Sequence, residues 1–141
     1  MPRQLVYTSL LVDDYDRAIA FFTVALRFEL RQDTRLSESK RWVVVAPSSS
    51  DQSGALLLAK AATAEQQALI GKQGAGRVWL FLHTDDIDAD IAHMQRHGVH
   101  FTESPRDEAY GRVVVFADLW GNRWDLIEPR SLKRWAPTGL R

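Results

Sequence analysis

The side chains able to do chemistry are few and can be weighed one by one. His83 sits in a strand-like apolar run, Val78 to Thr84. An imidazole titrates near neutrality and can move a proton or ligate a metal. Asp125, in a second strand-like run, would orient or charge that ring if the two strands come together, so His83 and Asp125 form a candidate catalytic pair. Glu128 is a third donor, but in a regular strand it faces away from Asp125, and a relocated metal site using it demands a bulge. His93 and His97 share a helix face at i and i+4, a spacing that can clasp a metal. No Glu follows the first of them, and Ile87, Ile91 and Met94 claim the buried side of the same helix, so both histidines are expected to face solvent. No phosphate loop, nucleophile elbow or dinucleotide fingerprint occurs. Cysteine is absent, which excludes disulfides, thiolate nucleophiles and sulfur-ligated zinc.

Aromatic residues offer binding rather than catalysis. Strand alternation puts Trp79, Phe81 and His83 on one face and Val78, Leu80 and Leu82 on the other, the latter suited to packing under helices. Tyr7, Trp42, Trp79, Phe81 and Trp124 together would give a surface for stacking on a flat organic molecule. The same residues would also serve as core or as a subunit contact. A polar loop from Arg106 to Gly111 carries Arg106 and Tyr110, which could recognise an anionic or phenolic ligand.

The elements that must position these residues follow a simple order. Leu5 to Val12 reads as a strand, and Asp13, Asp14 and Asp16 stand where a helix N-terminus wants acceptors and negative charge, ahead of Ala18, Ile19, Phe22, Ala25 and Leu26. Trp42 to Ala46 is a strand stopped by Pro47 and a serine-rich turn, and Ala55 to Ala59 is the next. Thr63 to Gln66 has the spacing of a capping box for a short helix to about Ile70, and Gly71 to Gly76 ends it in a loop that could act as a lid. Val78 to Thr84 then restarts the pattern, with Asp85 and Asp86 before a helix that stops at Gly98.

The restart is a repeat. A shift of 72 residues superposes Leu10 on Leu82, Asp13 on Asp85, Asp14 on Asp86, Asp16 on Asp88, Ile19 on Ile91 and Ala20 on Ala92, six identities in eleven positions. Arg41 to Val45 echoes Arg112 to Phe116, and Gly54 with its following strand echoes Gly121 with Trp124 to Ile127. Two copies are too few for a solenoid and predict a duplicated α+β fold whose sheets curve around a shared space.

On these residues the chain resembles the vicinal oxygen chelate superfamily. The first module's Val12-Asp13-Asp14, Arg17 to Phe22 and Leu26-Arg27-Phe28, and the second module's Thr84 to Asp88, Gly98 to Phe101 and Phe116 to Pro129, carry the likeness. That group includes glyoxalase I, extradiol dioxygenases, fosfomycin-inactivating transferases and bleomycin-binding resistance proteins. The resemblance implies one domain, 1–141, of two βαβββ modules, about 4–70 and 76–129, forming a curved, partly open mixed β-barrel with helices outside, followed by a tail over 130–141. It also implies a homodimer, with Trp135 of the tail packing across the contact. Enzymes of the group hold a divalent ion at four strand positions, which fall here on Tyr7, Leu57, Trp79 and Asp125. One carboxylate among a phenol, an indole and an aliphatic chain does not supply the three or more donors such an ion needs, so no cofactor is expected.

Two function classes follow. The first is a metal-free protein with an aromatic-lined cavity for a small organic ligand, comparable to the bleomycin-type resistance proteins. The second is a glyoxalase- or dioxygenase-like enzyme, metal-dependent or proton-transferring, that works through His83 and Asp125. Composition narrows the partners: Lys plus Arg equals Asp plus Glu at 18 each, so no net field holds nucleic acid. No run approaches the ~18 apolar residues of a membrane span, and the N-terminal stretch lacks a signal-peptide pattern, so a cytoplasmic location is expected.

Overall fold

Short apolar runs alternating with acidic caps build two similar sheets. The computed structural model describes residues 2–50 and 52–130. The tail beyond Arg130, with Trp135, lies outside the described residues. The chain divides into two compact units, Met1–Gln73 and Gly74–Arg141.

In the N-terminal unit, β1 (Tyr7–Val12) buries Leu10 and Val12 on one face and leaves Tyr7 and Ser9 exposed on the other. Asp14 then caps α1 (Tyr15–Ala20), its carboxylate accepting the Arg17 backbone N–H at 2.8 Å. Asp13 pairs with the Arg17 guanidinium at 2.7 Å, and Asp16 places its charge in the first turn. The helix continues through Phe21–Ala25 in a wider turn, where the Leu26 N–H reaches the Phe21 carbonyl at 3.3 Å. Arg27 ends it in the left-handed conformation, φ 56°, and returns Phe28 to the core against Phe22, ring centroids 5.3 Å apart.

Three further strands follow, β2 (Glu29–Arg35), β3 (Arg41–Ala46) and β4 (Ala55–Lys60), in the order β1-β4-β3-β2, with β1 parallel to β4 and the rest antiparallel. The sequence gives little sign of β2. Its residues are polar apart from Leu30 and mostly exposed, so the backbone ladder to β3 makes the strand without a hydrophobic alternation. Thr63 caps α2 (Ala64–Leu69), accepting from the Gln66 N–H at 3.1 Å, while the Gln66 side chain accepts from the Ala62 N–H at 2.8 Å.

The C-terminal unit repeats the plan with β5 (Val78–His83), α3 (Ile87–Arg96), β6 (His100–Phe101), β7 (Arg106–Glu108), β8 (Gly111–Ala117) and β9 (Arg123–Pro129). The order is β5-β9-β8-β6, with β7 also on β8 and β5 parallel to β9. Asp86 caps α3 as Asp14 caps α1, accepting from the Ala89 N–H at 3.1 Å. The stretch expected to be a loop from Arg106 is strand for three residues, and Glu108 pairs with Gly111 across a tight hairpin. Gly111 has φ +154°, and a Cβ there would strike the Glu128 carbonyl, so the close approach of β8 to β9 needs glycine.

The architecture is therefore mixed α+β, two sheets with few helices. No helix among the described residues is long and apolar enough to cross a membrane.

Candidate functional site

In the N-terminal unit the sheet has one side facing α1 and one side facing away from it. Register puts Ser9 beside Leu57 and Leu11 beside Ala59, with Val44 opposite Leu57 on the next strand. Val44, Ala46 and Ala55 make a buried cluster on that side, and Trp42 and Leu57 pack against it. The Trp42 indole N–H donates to Gln32 Oε1 at 2.6 Å, and the Tyr7 ring meets it edge-on, centroids 5.9 Å apart at 79°. One ring is thus held from two directions.

Beside Trp42 a cavity of about 660 Å³ is lined by Leu11, Leu57 and Ala59, with Leu36, Lys40, Lys60 and Gln66 among its exposed lining residues. That volume suits a small organic molecule. Arg41 also lines it but is committed: its guanidinium donates to Asp33 at 2.7 and 3.1 Å and to Asp16 at 2.8 Å, and lies 5.2 Å from the Tyr15 ring centroid. The hydrogen bond from Arg41 holds the Asp33 carboxyl below its ordinary range.

The C-terminal unit presents a different surface at the same register. Phe81, 60% exposed, pairs with Asp125, and His83 pairs with Ile127. Asp125 Oδ1 is buried with no hydrogen-bond partner among the described residues, so that oxygen receives no orienting bond from His83. Burial pushes the Asp125 carboxyl up, opposed by the positive charge of Arg106 and assisted by the negative charge of Glu103. Burial also pushes the His83 imidazole down. Arg106 is ion-paired with Glu103 and, at 3.0 Å, with Glu108, and it feels the Tyr110 hydroxyl. Phe81, Arg106, Tyr110 and Asp125 are thus a polar neighbourhood with one exposed ring.

Several sequence expectations change here. Strict alternation from Val78 to His83 fails, because the register to β9 slips by one between Val78 and Leu80. Trp79 sits in that slip, half-buried and tight against Gly74, where an added Cβ would come within 2.8 Å of the Trp79 Cβ. Trp124 does not join the aromatic surface. It is 3% exposed, stacks on Phe116 at 5.6 Å and donates its indole N–H to Asp118 at 3.1 Å, so it belongs to the core of its unit. Glu128 is engaged as a cap, its Oε1 accepting the Ile87 N–H at 3.0 Å at the start of α3. His93 and His97 stack at 4.5 Å on the same helix.

The four positions where the family's enzymes hold a metal can be tested from their chemistry. Tyr7 is turned into an aromatic pair with Trp42, Leu57 has no donor, Trp79 is an indole, and only Asp125 offers a carboxylate. Among the described residues no group of three His, Asp or Glu side chains is disposed to hold an ion. These residues do not fit the divalent centre of that group.

Cavity residues Leu36, Lys40, Lys60 and Gln66 went unread in the sequence. Alternation along β1 and β4 would have put Leu11 and Ala59 on the Tyr7 face, whereas Leu36 and Lys40 arrive through the turn after the unforeseen β2.

Two mixed sheets, each with its first and last strands parallel and its own helix, define a duplicated βαβββ protein. The sequence pattern of the Glyoxalase/Bleomycin resistance protein/Dioxygenase superfamily matches residues 4–126, and the chain belongs to that superfamily. It is 47% identical over 129 residues to an uncharacterized protein of Shewanella frigidimarina (strain NCIMB 400), covering 91% of this chain and 95% of that one. Among solved structures it is similar to TnmS3, an antibiotic binding protein from Streptomyces sp. CB03234, at 31% identity and TM-score 0.73, covering 92% and 98% of the two chains. It is also similar to UcmS2, at 29% identity and TM-score 0.77, covering 91% and 99%.

Proposed function

We propose that this chain is a metal-independent small-molecule binding protein, holding a flat organic ligand in the cavity of the N-terminal sheet. The observation that carries the reading is the cavity of about 660 Å³ beside a Trp42 ring fixed by Gln32 and Tyr7. Tyr7 and Trp42 supply stacking and edge contacts, and Leu11, Leu57 and Ala59 supply apolar area. The antibiotic binding activity of TnmS3 supports the ligand class. We propose a second, separate contact surface in the C-terminal unit, the Phe81 ring offering apolar contact and Arg106 and Tyr110 polar contact. We also propose closure of the sheets into a curved, partly open barrel, a homodimer measurable by light scattering, and a cytoplasmic location. The test is titration of the purified protein with polycyclic aromatic compounds while tryptophan emission is followed, before and after exhaustive chelation. Saturable quenching with recovery of unaltered compound, insensitive to chelation, is the expected result. Turnover of the compound, or binding that chelation abolishes, would sink the reading.

A second reading, proton-transfer chemistry through His83 and Asp125, has one observation in its favour: a half-buried carboxyl whose Oδ1 is left without a partner and whose pKa is pushed up. A candidate general base of this kind would show a bell-shaped or sigmoidal pH–rate profile that Asp125→Asn removes.

A further inference from the structure

We propose that the cavity of the N-terminal unit selects an anionic ligand, a flat aromatic body carrying a carboxylate or a comparable acidic group. This rests on the binding function proposed above and adds the ligand's charge. Three cationic residues line the cavity, Lys40, Arg41 and Lys60, and no acidic residue does. The imbalance is local, since the whole chain carries 18 charges of each sign. Arg41 is neutralised by Asp33 and Asp16, which leaves the two lysines.

Neither lysine side chain has an ion pair or hydrogen bond among the described residues. Lys60 ends β4 and Lys40 immediately precedes β3, and the antiparallel pairing of Val43 with Leu58 brings both to the same end of the sheet. Two like charges beside a floor of Leu11, Leu57 and Ala59 concentrate positive potential where little protein polarity opposes it. Gln66 adds neutral donors, because its Oε1 is used by the Ala62 N–H while its amide N–H groups remain for a ligand oxygen. Stacking on Trp42 would place the ring system, and the lysines would set which end of the ligand enters.

Calorimetric titration of the full chain with pyrenecarboxylate and with its uncharged carboxamide reads the charge directly. The carboxylate is expected to bind about tenfold more tightly at low salt, a preference that shrinks as salt rises. In the K40Q/K60Q double variant the two affinities should fall within about twofold of each other. Equal affinities in the parent chain would overturn the charge selection and leave the binding function standing. No binding of either compound would overturn both. A preference that survives in the double variant would mean that the charge is read elsewhere, and would overturn the assignment to these lysines.

Discussion

The two units share a scaffold and differ where the scaffold is free to differ. On the helix side the correspondence is close: Leu10 and Leu82 lie at matching places on the first strands, and Asp14 and Asp86 cap the following helices through the same i to i+3 bond. On the opposite side, register equates Ser9 with Phe81, Leu11 with His83, Leu57 with Asp125 and Trp42 with Val113. One unit has an apolar cavity with cations at its edge, and the other has an exposed ring above a half-buried carboxyl with Arg106 nearby. Packing against helices fixes residue type on one face, while the other face is constrained only by what it must contact, so duplication kept the frame and let the chemistry diverge.

The largest effect should come from the loop where the units differ most in how they are tied. Asp118 accepts backbone bonds from Trp120, Gly121 and Asn122 on Oδ1 and side-chain bonds from Asn122 and Trp124 on Oδ2, whereas the serine-rich turn of the other unit is tied by Arg31 to the Ser48 and Ser50 carbonyls. Asp118→Ala should cost about 3 kcal/mol in urea unfolding, because it strands several buried donors at once. A loss below about 1 kcal/mol would show that the loop does not depend on this carboxylate.

Next in size is the binding asymmetry. Trp42→Ala should weaken pyrenecarboxylate binding at least tenfold, about 1.4 kcal/mol, while Phe81→Ala changes it by about twofold. The reverse ranking would move the site to the other sheet. A smaller change is expected from giving the C-terminal unit the residue found at the equivalent place in its partner: Asp125→Leu removes an unsatisfied buried oxygen and should raise stability by about 1 kcal/mol. Destabilisation would mean that the Arg106 charge depends on Asp125.

The smallest effect is in pH. Burial raises the Asp125 pKa above the 3.8 of the free side chain. A folded value above the unfolded one means that the folded chain binds the proton more readily, so this contribution to stability is full below the unfolded pKa and is lost as pH rises through the folded pKa. Carbon-detected NMR titration should give a midpoint above 3.8, moving further up in Arg106→Gln and down in Glu103→Gln. A midpoint at or below 3.8 contradicts the burial effect.

What the sequence made legible follows the same divide. Runs of β-formers, helical patterns and the internal repeat located β1, β3, β4, β5, β8 and β9 and the acidic caps, because burial writes itself into residue type. The edge strand β2 left no pattern, since Glu29 to Arg35 is largely solvated and held by backbone bonds to β3. The aromatic residues were visible but their sides were not: a one-residue slip at Trp79 and the Asp118 bond to Trp124 decide where those indoles go, and neither is encoded by spacing. Lys40 and Lys60 are ordinary surface lysines until β3 and β4 bring them to one cavity.

The central claim, that the ligand sits on the N-terminal sheet, is tested most directly by amide and indole NMR shifts during titration with pyrenecarboxylate. The account predicts saturable shifts at Leu11, Leu57, Ala59, Lys60 and the Trp42 indole N–H. Shifts concentrated at Phe81, Arg106 and Asp125 without these, or none at all, would contradict it.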